Sequence, residues 1–189
     1  MVGKTEYRSS KRSKAMIKKA FAKLLHEKDI SKITVTDIVQ EAEISRGTFY
    51  AHYKDVANLF EQIEAEELRQ LLSLVDEIGY RTILTSPKIF LNEMLKYIGK
   101  DMEYYRMLFL ANNTSHFVSV IKRALEEKIL GEGGPLPKTA SKDEISVFIT
   151  FFSGGLSYTI TSWLNGELNA GADELSDILS KIMKRSFEV

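Results

Sequence analysis

The sequence predicts an all-α protein with a small N-terminal head and a larger helical body. Apolar residues recur at helical spacing along most of the 189-residue chain, and no segment sustains the alternation of a β-strand. Lys and Arg outnumber Asp and Glu by 12 to 6 in residues 1–54, whereas they are outnumbered 14 to 20 in residues 55–189. We therefore expect about nine helices in two domains, residues 1–54 and 55–189.

Periodicity and capping residues place the helices. Residues 1–9 are expected to form a loose arm, helix one runs from about Ser10 to Lys28, and residues 34–54 form two short helices. The body follows with helices predicted at 55–79, 87–99, 101–111, 114–131, 141–164 and 172–187, and Asp55 and Ser141 are the predicted N-caps of the helices that they begin. The glycine- and proline-rich segment 131–140 is the predicted linker.

The segment TVTDIVQEAEISRGTFYAHYK, residues 34–54, has the pattern of a helix-turn-helix. Thr34 is the predicted N-cap of its first helix, with Asp37 three residues later, and Ser45 is the predicted N-cap of the second. Each helix carries one apolar face, and three residues separate the two helices.

The outward face of the second helix is suited to nucleic acid. Arg46 is basic, and no residue of this face is acidic. Gly47 costs about 1 kcal/mol relative to alanine inside a helix, so its presence suggests close approach by another backbone. The candidate DNA-binding residues are Thr36, Ser45, Arg46, Gly47, Thr48, Tyr50, His52 and Lys54. An ordinary amphipathic helix pair with a solvated outer face is the alternative.

These residues resemble the tetracycline-repressor (TetR) family of bacterial transcription regulators over about the first 60 residues. The resemblance is carried by Thr34-Val35 at the start of the first helix, the run SRGTFY at residues 45–50 and the residues HYK at 52–54, which end the segment. The chain departs from the family pattern at Glu43, where glycine is usual in the turn, and at Val56, where lysine is frequent. The second departure removes one expected phosphate contact.

The resemblance implies a homodimer that binds palindromic double-stranded operator DNA, most often as a repressor, and that a small-molecule effector releases. In this assignment Arg46 and Thr48, with Ser45 or Gly47, face base edges, and Arg46 suits guanine. The phosphate contacts are assigned to Lys54, His52, Tyr50 and Thr36.

The body offers two further sites. An effector pocket is expected among Phe90, Met94, Tyr97, Tyr105, Phe109, Phe117, Phe148 and Phe152, although each of these residues is individually also suited to an ordinary core. The helices at 141–164 and 172–187 are expected to form a four-helix dimer interface, because the first is apolar on two sides. Its residues are Phe151, Gly154, Gly155, Tyr158, Leu175, Ile178, Leu179 and Ile182. A single monomeric core is the alternative.

Other classes of function find little support in the sequence. The chain has no cysteine, which excludes disulfides and thiolate metal sites and fits a reducing cytoplasm. Its histidines, His26, His52 and His116, lie in different predicted helices without ligand spacing. We expect no metal, no cofactor, no enzymatic activity and, since no run approaches 18 apolar residues, no membrane span. The rival hypothesis is a helical small-molecule-binding or interaction protein that has lost DNA binding.

Overall fold

The computed structural model describes residues 2–110, 114–131 and 141–187, and all regular secondary structure in these ranges is helical. The all-α prediction is confirmed. The elements are α1 Val2–Glu27, a single 3₁₀ turn Ile30–Lys32, α2 Val35–Glu41, α3 Arg46–Tyr50, α4 Val56–Ile78, α5 Tyr80–Thr85, α6 Pro87–Gly99, α7 Met102–Leu110, α8 Thr114–Gly131, α9 Lys142–Leu164 and α10 Ala172–Phe187. The predicted linker beyond Gly131 lies outside the described residues.

Two predictions about local structure were wrong. The expected loose arm at residues 1–9 is helical, because α1 already begins at Val2 and residues 4–12 contain no glycine or proline to stop it. The short helix α5 was not predicted. Gly79 ends α4 at a positive φ of 78°, and the next six residues form a helix of their own before Pro87 opens α6.

The predicted caps are present and explain why most helix boundaries were placed correctly. The Thr34 hydroxyl accepts a hydrogen bond from the Asp37 N–H, and the Asp37 carboxylate accepts one from the Thr34 N–H. Ser141 and Glu144 form the same reciprocal pair at the start of α9. The Asp55 carboxylate caps α4 by accepting the Asn58 N–H at 2.7 Å.

Two apolar cores share helix α4. The head core consists of Ile17, Phe21, Leu24, Leu25, Ile33, Ile38, Val39, Phe49, Tyr53, Leu59 and Ile63. The body core is built mainly from α6, α7, α9 and α10, and it includes Val75 near the other end of α4. Since Leu59 and Ile63 are completely or almost completely buried in the head, the head core extends past the domain boundary expected at residue 54.

A second connection joins the head to the body through α1 and α7. These helices pack against each other, and Ala22 of α1 is fully buried in the body core. The ammonium group of Lys19 lies 3.0 Å from the Glu103 carboxylate across this contact. The head is therefore attached to the body by α4 and by the α1–α7 contact.

Helix α9 has the length and composition of a membrane span. Its 23 residues include two glycines and several hydroxyl side chains, which interrupt every apolar run before it reaches 18 residues. Little of its apolar surface is buried within the chain. A helix that packs in a core or against a partner chain has the same composition, so a single helix of this kind is weak support for a membrane.

The turn between α2 and α3 is a helix C-cap of the Schellman type, in which Glu43 takes the position that usually holds glycine. The Ile44 N–H donates to the Val39 carbonyl at 3.0 Å, and the Glu43 N–H donates to the Gln40 carbonyl at 3.2 Å. Glu43 has a φ of 52°, and within the described part of the chain it is the one non-glycine residue in the left-handed region. The departure from glycine therefore leaves the turn intact but strained.

Replacing Glu43 by glycine should stabilise the protein. The left-handed conformation costs a residue with a Cβ about 1–2 kcal/mol, and the added freedom of glycine in the unfolded chain costs about 0.4–1 kcal/mol. Glu43→Gly should therefore raise the free energy of unfolding by about 0.5–1 kcal/mol in urea denaturation at fixed protein concentration. Glu43→Ala is the control, because it removes the carboxylate and keeps the Cβ. Equal stabilisation by the two variants would show that charge, not backbone strain, is responsible.

Candidate nucleic-acid interface and body cavity

Helix α3 is anchored by its inward side chains and presents its polar ones to solvent. Phe49 is fully buried in the head core, and Tyr53, just after the helix, is nearly so. Arg46 and Lys54 are exposed, and Tyr50 is 55% exposed with its ring edge against Phe49. Of the predicted DNA-binding residues, Arg46, Gly47, Thr48 and Tyr50 thus lie on α3, and Ser45 is its N-cap. His52 and Lys54 follow this helix and Thr36 lies on α2, with Thr36, Thr48 and His52 half-buried.

Hydrogen bonds pre-order this surface. The Ser45 hydroxyl accepts the Thr48 N–H at 3.0 Å and lies 2.9 Å from the Thr48 hydroxyl. The Arg46 guanidinium donates from Nη2 to the Thr36 hydroxyl at 2.7 Å. This contact joins the start of α2 to the start of α3, and it holds the arginine extended over the surface rather than leaving its rotamers free.

Neither the backbone conformation nor the packing within the chain requires glycine at position 47. It is exposed and its φ is not positive, and a Cβ built on it would meet only the Ser45 hydroxyl, at an ordinary 3.7 Å. The expected close approach by an external backbone therefore stays a prediction.

His52 faces α1. Its Nε2 lies 2.7 Å from the Ser13 hydroxyl, and the tautomer decides which of the two donates. Partial burial lowers the pKa of His52 below the ordinary histidine value, and the positive charge of Lys14 lowers it further. The ring is therefore neutral at pH 7 in the free protein.

The body contains a cavity of about 560 Å³ between α4, α6, α7, α8 and α9, with α10 closing one side. Seven of the eight predicted pocket residues line it: Phe90, Met94, Tyr97, Tyr105, Phe109, Phe148 and Phe152. The side chain of Phe117 lies outside the described residues. The wall is mostly apolar, as is usual for sites that bind small molecules.

One cavity residue was missed by the sequence analysis. Glu67 of α4 is 9% exposed, and its carboxylate Oε2 accepts hydrogen bonds from the Tyr105 hydroxyl at 2.8 Å and the Tyr97 hydroxyl at 3.4 Å. Burial raises the pKa of Glu67 above its usual range. The missed signal was spacing, because Glu67 lies four residues after Ile63 and four before Leu71, on the apolar stripe of α4.

The residues predicted for the dimer interface separate into two groups. Phe151 and Tyr158 of α9 are 70% and 75% exposed, and Ile178 and Ile182 of α10 are also exposed. Gly154 and Gly155 are exposed, with no atom near a built Cβ. Leu175 and Leu179 instead belong to the chain's own body core, where α10 packs against α6, so these two residues are removed from the interface.

The residues that the structure describes contain no group of three or more histidine, aspartate or glutamate side chains placed to hold a metal ion. The side chain of His116 lies outside the described residues.

Comparison with known proteins identifies the class of protein, a transcriptional regulator with a helix-turn-helix head. The family described as "Bacterial regulatory proteins, tetR family" matches residues 17–63, and the family described as "Transcriptional regulator C-terminal region" matches residues 85–185, more than half of the chain. The protein belongs to the TetR family of transcriptional regulators, a family that binds operator DNA and typically dimerises.

Curated relatives are distant. The chain is 22% identical over 168 residues to the uncharacterized HTH-type transcriptional regulator YxbF of Bacillus subtilis, covering 87% of this chain and 43% of that protein. It is 26% identical over 117 residues to the HTH-type dhaKLM operon transcriptional activator DhaS of Lactococcus lactis, covering 61% of this chain and 59% of that protein. The chain thus spans about half the length of these relatives.

Solved structures share the fold over nearly the whole chain. A TetR transcriptional regulator from Streptococcus agalactiae aligns with a TM-score of 0.59 at 21% identity, covering 96% of this chain and 98% of that one. The fatty acid degradation regulator FadR from Bacillus halodurans aligns with a TM-score of 0.59 at 15% identity, covering 91% and 94%. The dihydroxyacetone kinase operon activator DhaS gives 0.57 at 19% identity, covering 93% and 96%.

If His52 contacts a DNA phosphate, operator affinity should depend on pH. The free imidazole has a lowered pKa, and a nearby phosphate would stabilise its protonated form, so binding would take up a proton. Affinity at constant salt should then rise as the pH falls from about 7.5 to about 6. His52→Gln should remove most of this rise, whereas His26→Gln, an exposed change on α1, should keep it. An unchanged pH profile in His52→Gln would contradict the contact.

Proposed function

We propose that the protein is a cytoplasmic homodimeric repressor that binds a palindromic operator through α3 and is released by a small-molecule effector bound in the body cavity. The observation that carries the DNA-binding part is the anchored α3, whose exposed Arg46 is held in place by Thr36. A head that had lost DNA binding would have no need to order an exposed arginine in this way. This observation therefore favours a regulator over the rival interaction protein.

The proposed contacts divide into two kinds. Arg46 and Thr48, with Ser45 or Gly47, face base edges in the major groove, and an arginine fork suits the two acceptors of guanine. Lys54, Tyr50, His52 and Thr36 contact phosphates and set the register of the head. Thr36 would then have two roles, because its hydroxyl accepts a hydrogen bond from Arg46 and would also contact a phosphate. The base contact of Arg46 and the phosphate contact of Thr36 would therefore be fixed relative to each other.

The exposed apolar face of α9 and α10 supports dimerisation. Val147, Phe151, Gly154 and Tyr158 recur at helical spacing on one side of α9, and Ile178 and Ile182 are exposed on α10. Large apolar side chains exposed together on one helix face are uncommon on a monomer. A second copy related by a two-fold axis would cover each face with the same face of its partner and leave two heads side by side. Two helix-turn-helix units on such an axis read half-sites about 34–36 Å apart.

The cavity and the proposed interface share α9. Phe148 and Phe152 lie on the cavity side, whereas Phe151 and Gly155 border both the cavity and the exposed face. A ligand in the cavity would therefore touch the helix that positions the partner copy as well as the helix, α4, that carries the head. An effector can shift the protein away from the DNA-binding arrangement of the two heads only by as much as it binds the other arrangement more tightly.

Activation is a second candidate. The relative DhaS is named as an operon activator in both the curated and the structural comparison. A reporter gene with the chain's own upstream DNA distinguishes the two, since deletion of the regulator raises expression for a repressor and lowers it for an activator. A gel shift with the same DNA tests the rival that has lost DNA binding.

Arg46 and Lys54 should have different effects on DNA binding. Arg46→Ala should cost about 1–3 kcal/mol at the operator and relax sequence preference, because a base contact is lost. Lys54→Ala should weaken binding to all sequences by a similar factor and flatten the salt dependence, because a phosphate contact is lost. Fluorescence anisotropy with operator and scrambled DNA at several salt concentrations measures both. An equal loss of specificity from the two changes would overturn these roles.

A charge placed on the exposed face of α9 should dissociate the dimer. Phe151→Glu would bring two buried carboxylates to the two-fold interface, so the variant should be monomeric in sedimentation velocity at concentrations where the wild type is dimeric. Met102→Glu is the matched control, since Met102 is an exposed apolar residue on α7, outside this face. A wild-type monomer, or a Phe151→Glu dimer of undiminished affinity, would refute the interface.

A further inference from the structure

Glu67 is a buried acid in a mostly apolar cavity, whose lining also includes the exposed Lys100. Two other acidic residues of the lining, Glu77 and Glu93, are exposed, and Glu93 is paired with Lys96 at 2.9 Å. None of the described ion pairs includes Glu67. Its recorded partners are the hydroxyls of Tyr105 and Tyr97, both of which donate to the same carboxylate oxygen.

This arrangement is costly for folding and must be offset elsewhere. Removing a carboxylate from water disfavours its ionised form, and two neutral hydroxyl donors replace only part of the lost hydration. The titratable groups around the carboxylate are Lys18 on α1, Glu66 on α4, Tyr97 on α6, and Tyr104 and Tyr105 on α7. Lys18 and Glu66 act on it with opposite signs, so their charges oppose each other. A leucine at position 67 would complete the apolar stripe of α4 without this cost.

The geometry also gives the carboxylate a fixed orientation. Tyr97 and Tyr105 pack against each other with ring centroids 5.8 Å apart, and Tyr105 packs in turn against Tyr104 at 5.1 Å. Their hydroxyls hold Oε2 of Glu67 at the wall of the cavity. A carboxylate held inside a mostly apolar space is a strong recognition element for a positive charge, because a paired cation stabilises its ionised form.

We propose that the cavity binds a monocationic amphiphile whose cationic group pairs with Glu67 while its apolar part lies among Phe90, Met94, Phe148 and Phe152. The volume of about 560 Å³ suits a drug-sized molecule. An anionic ligand would face a like charge in a low-dielectric site, and a neutral ligand would leave that charge unpaired. The ring of Tyr97 already attracts a cation, because the ammonium group of Lys100 lies 5.6 Å from its centroid. This assignment rests on the proposed effector function and specifies the chemistry of its ligand.

Glu67 is well placed to make such a ligand an effector. It lies one helical turn after Ile63 of the head core and two turns before Val75 of the body core. A cation that draws the Glu67 carboxylate into the cavity therefore acts on the segment of α4 between the two cores.

Three probes with the same ten-carbon chain test the proposal: decylammonium, decanol and decanoate, each titrated calorimetrically into the full-length protein below its micellar concentration. Wild type should bind decylammonium most tightly. Glu67→Gln keeps an acceptor for the Tyr105 hydroxyl and should lower decylammonium affinity about tenfold or more while leaving decanol binding unchanged. Unchanged decanol binding also shows that the variant retains its cavity.

Glu77→Gln is the matched control, because it removes an equal charge from an exposed position of the same cavity lining and should leave the preference for decylammonium within about twofold. Equal or tighter binding of decanol or decanoate, binding of none of the three, or an unchanged preference in Glu67→Gln would overturn the proposal. The titration contains no DNA. If decylammonium binds as expected but leaves the gel shift of operator DNA unaltered, the effector function fails and the ligand assignment stands.

Discussion

The packing of one helix into two cores is the constraint on which the rest of this structure depends. Near its start α4 contributes Leu59 and Ile63 to the head, and near its end it contributes Val75 to the body. At 1.5 Å per residue the 23 residues of α4 extend over about 35 Å. No glycine or proline interrupts them before Gly79, so the helix has no built-in hinge between the two cores. The orientation of α3, which is tied to α4 by only five residues, follows from this helix and from the α1–α7 contact.

The same helix, α4, places Glu67 in the wall of the cavity. Most of its wall consists of side chains that an ordinary core would also use, and among the described lining residues Glu67 is the buried acid. A buried carboxylate is unfavourable for stability, yet it lies on the α4 segment that joins the cores. On the opposite side, α9 separates the cavity from the exposed apolar face. The proposed ligand, the head and the proposed partner copy would therefore all contact α4 or α9, so a change at one of these contacts can be transmitted through the two helices to the others.

Most of the fold could be predicted because its helix ends are marked locally. Thr34, Ser45, Asp55 and Ser141 all accept the backbone hydrogen bonds that their positions in the sequence suggested. Helix α5 and the start of α1 were missed because neither has a capping side chain that distinguishes it. The positive φ of Glu43 was indicated only by the resemblance, in which glycine is usual at this position of the turn, since the turn's hydrogen bonds are made by the backbone and a glutamate by itself gives no sign of a positive φ.

The sites were predicted to different extents, for a physical reason. Most of the predicted DNA-contact residues lie on or directly beside one short helix, so helical periodicity alone predicts which side chains face outward. The pocket and the dimer face depend on which elements pack together over long sequence distances. Leu175 and Ile178 have the same apolar character and lie three residues apart, yet α6 covers the first and leaves the second exposed. The hydrogen bond between Arg46 and Thr36 likewise requires the fold, because ten residues separate its partners.

The distance between the two heads of the proposed dimer tests the central role of α4 most directly. The chain has no cysteine, so Glu61→Cys on the exposed side of α4 provides a single site for a spin label on each copy. Pulsed electron–electron double resonance should give one narrow distribution of distances between the two labels with operator DNA bound. With decylammonium bound, the distribution should be centred at a different distance. Identical distributions in the two states, with both ligands shown to be bound, would mean that α4 does not carry the signal from the cavity to the head.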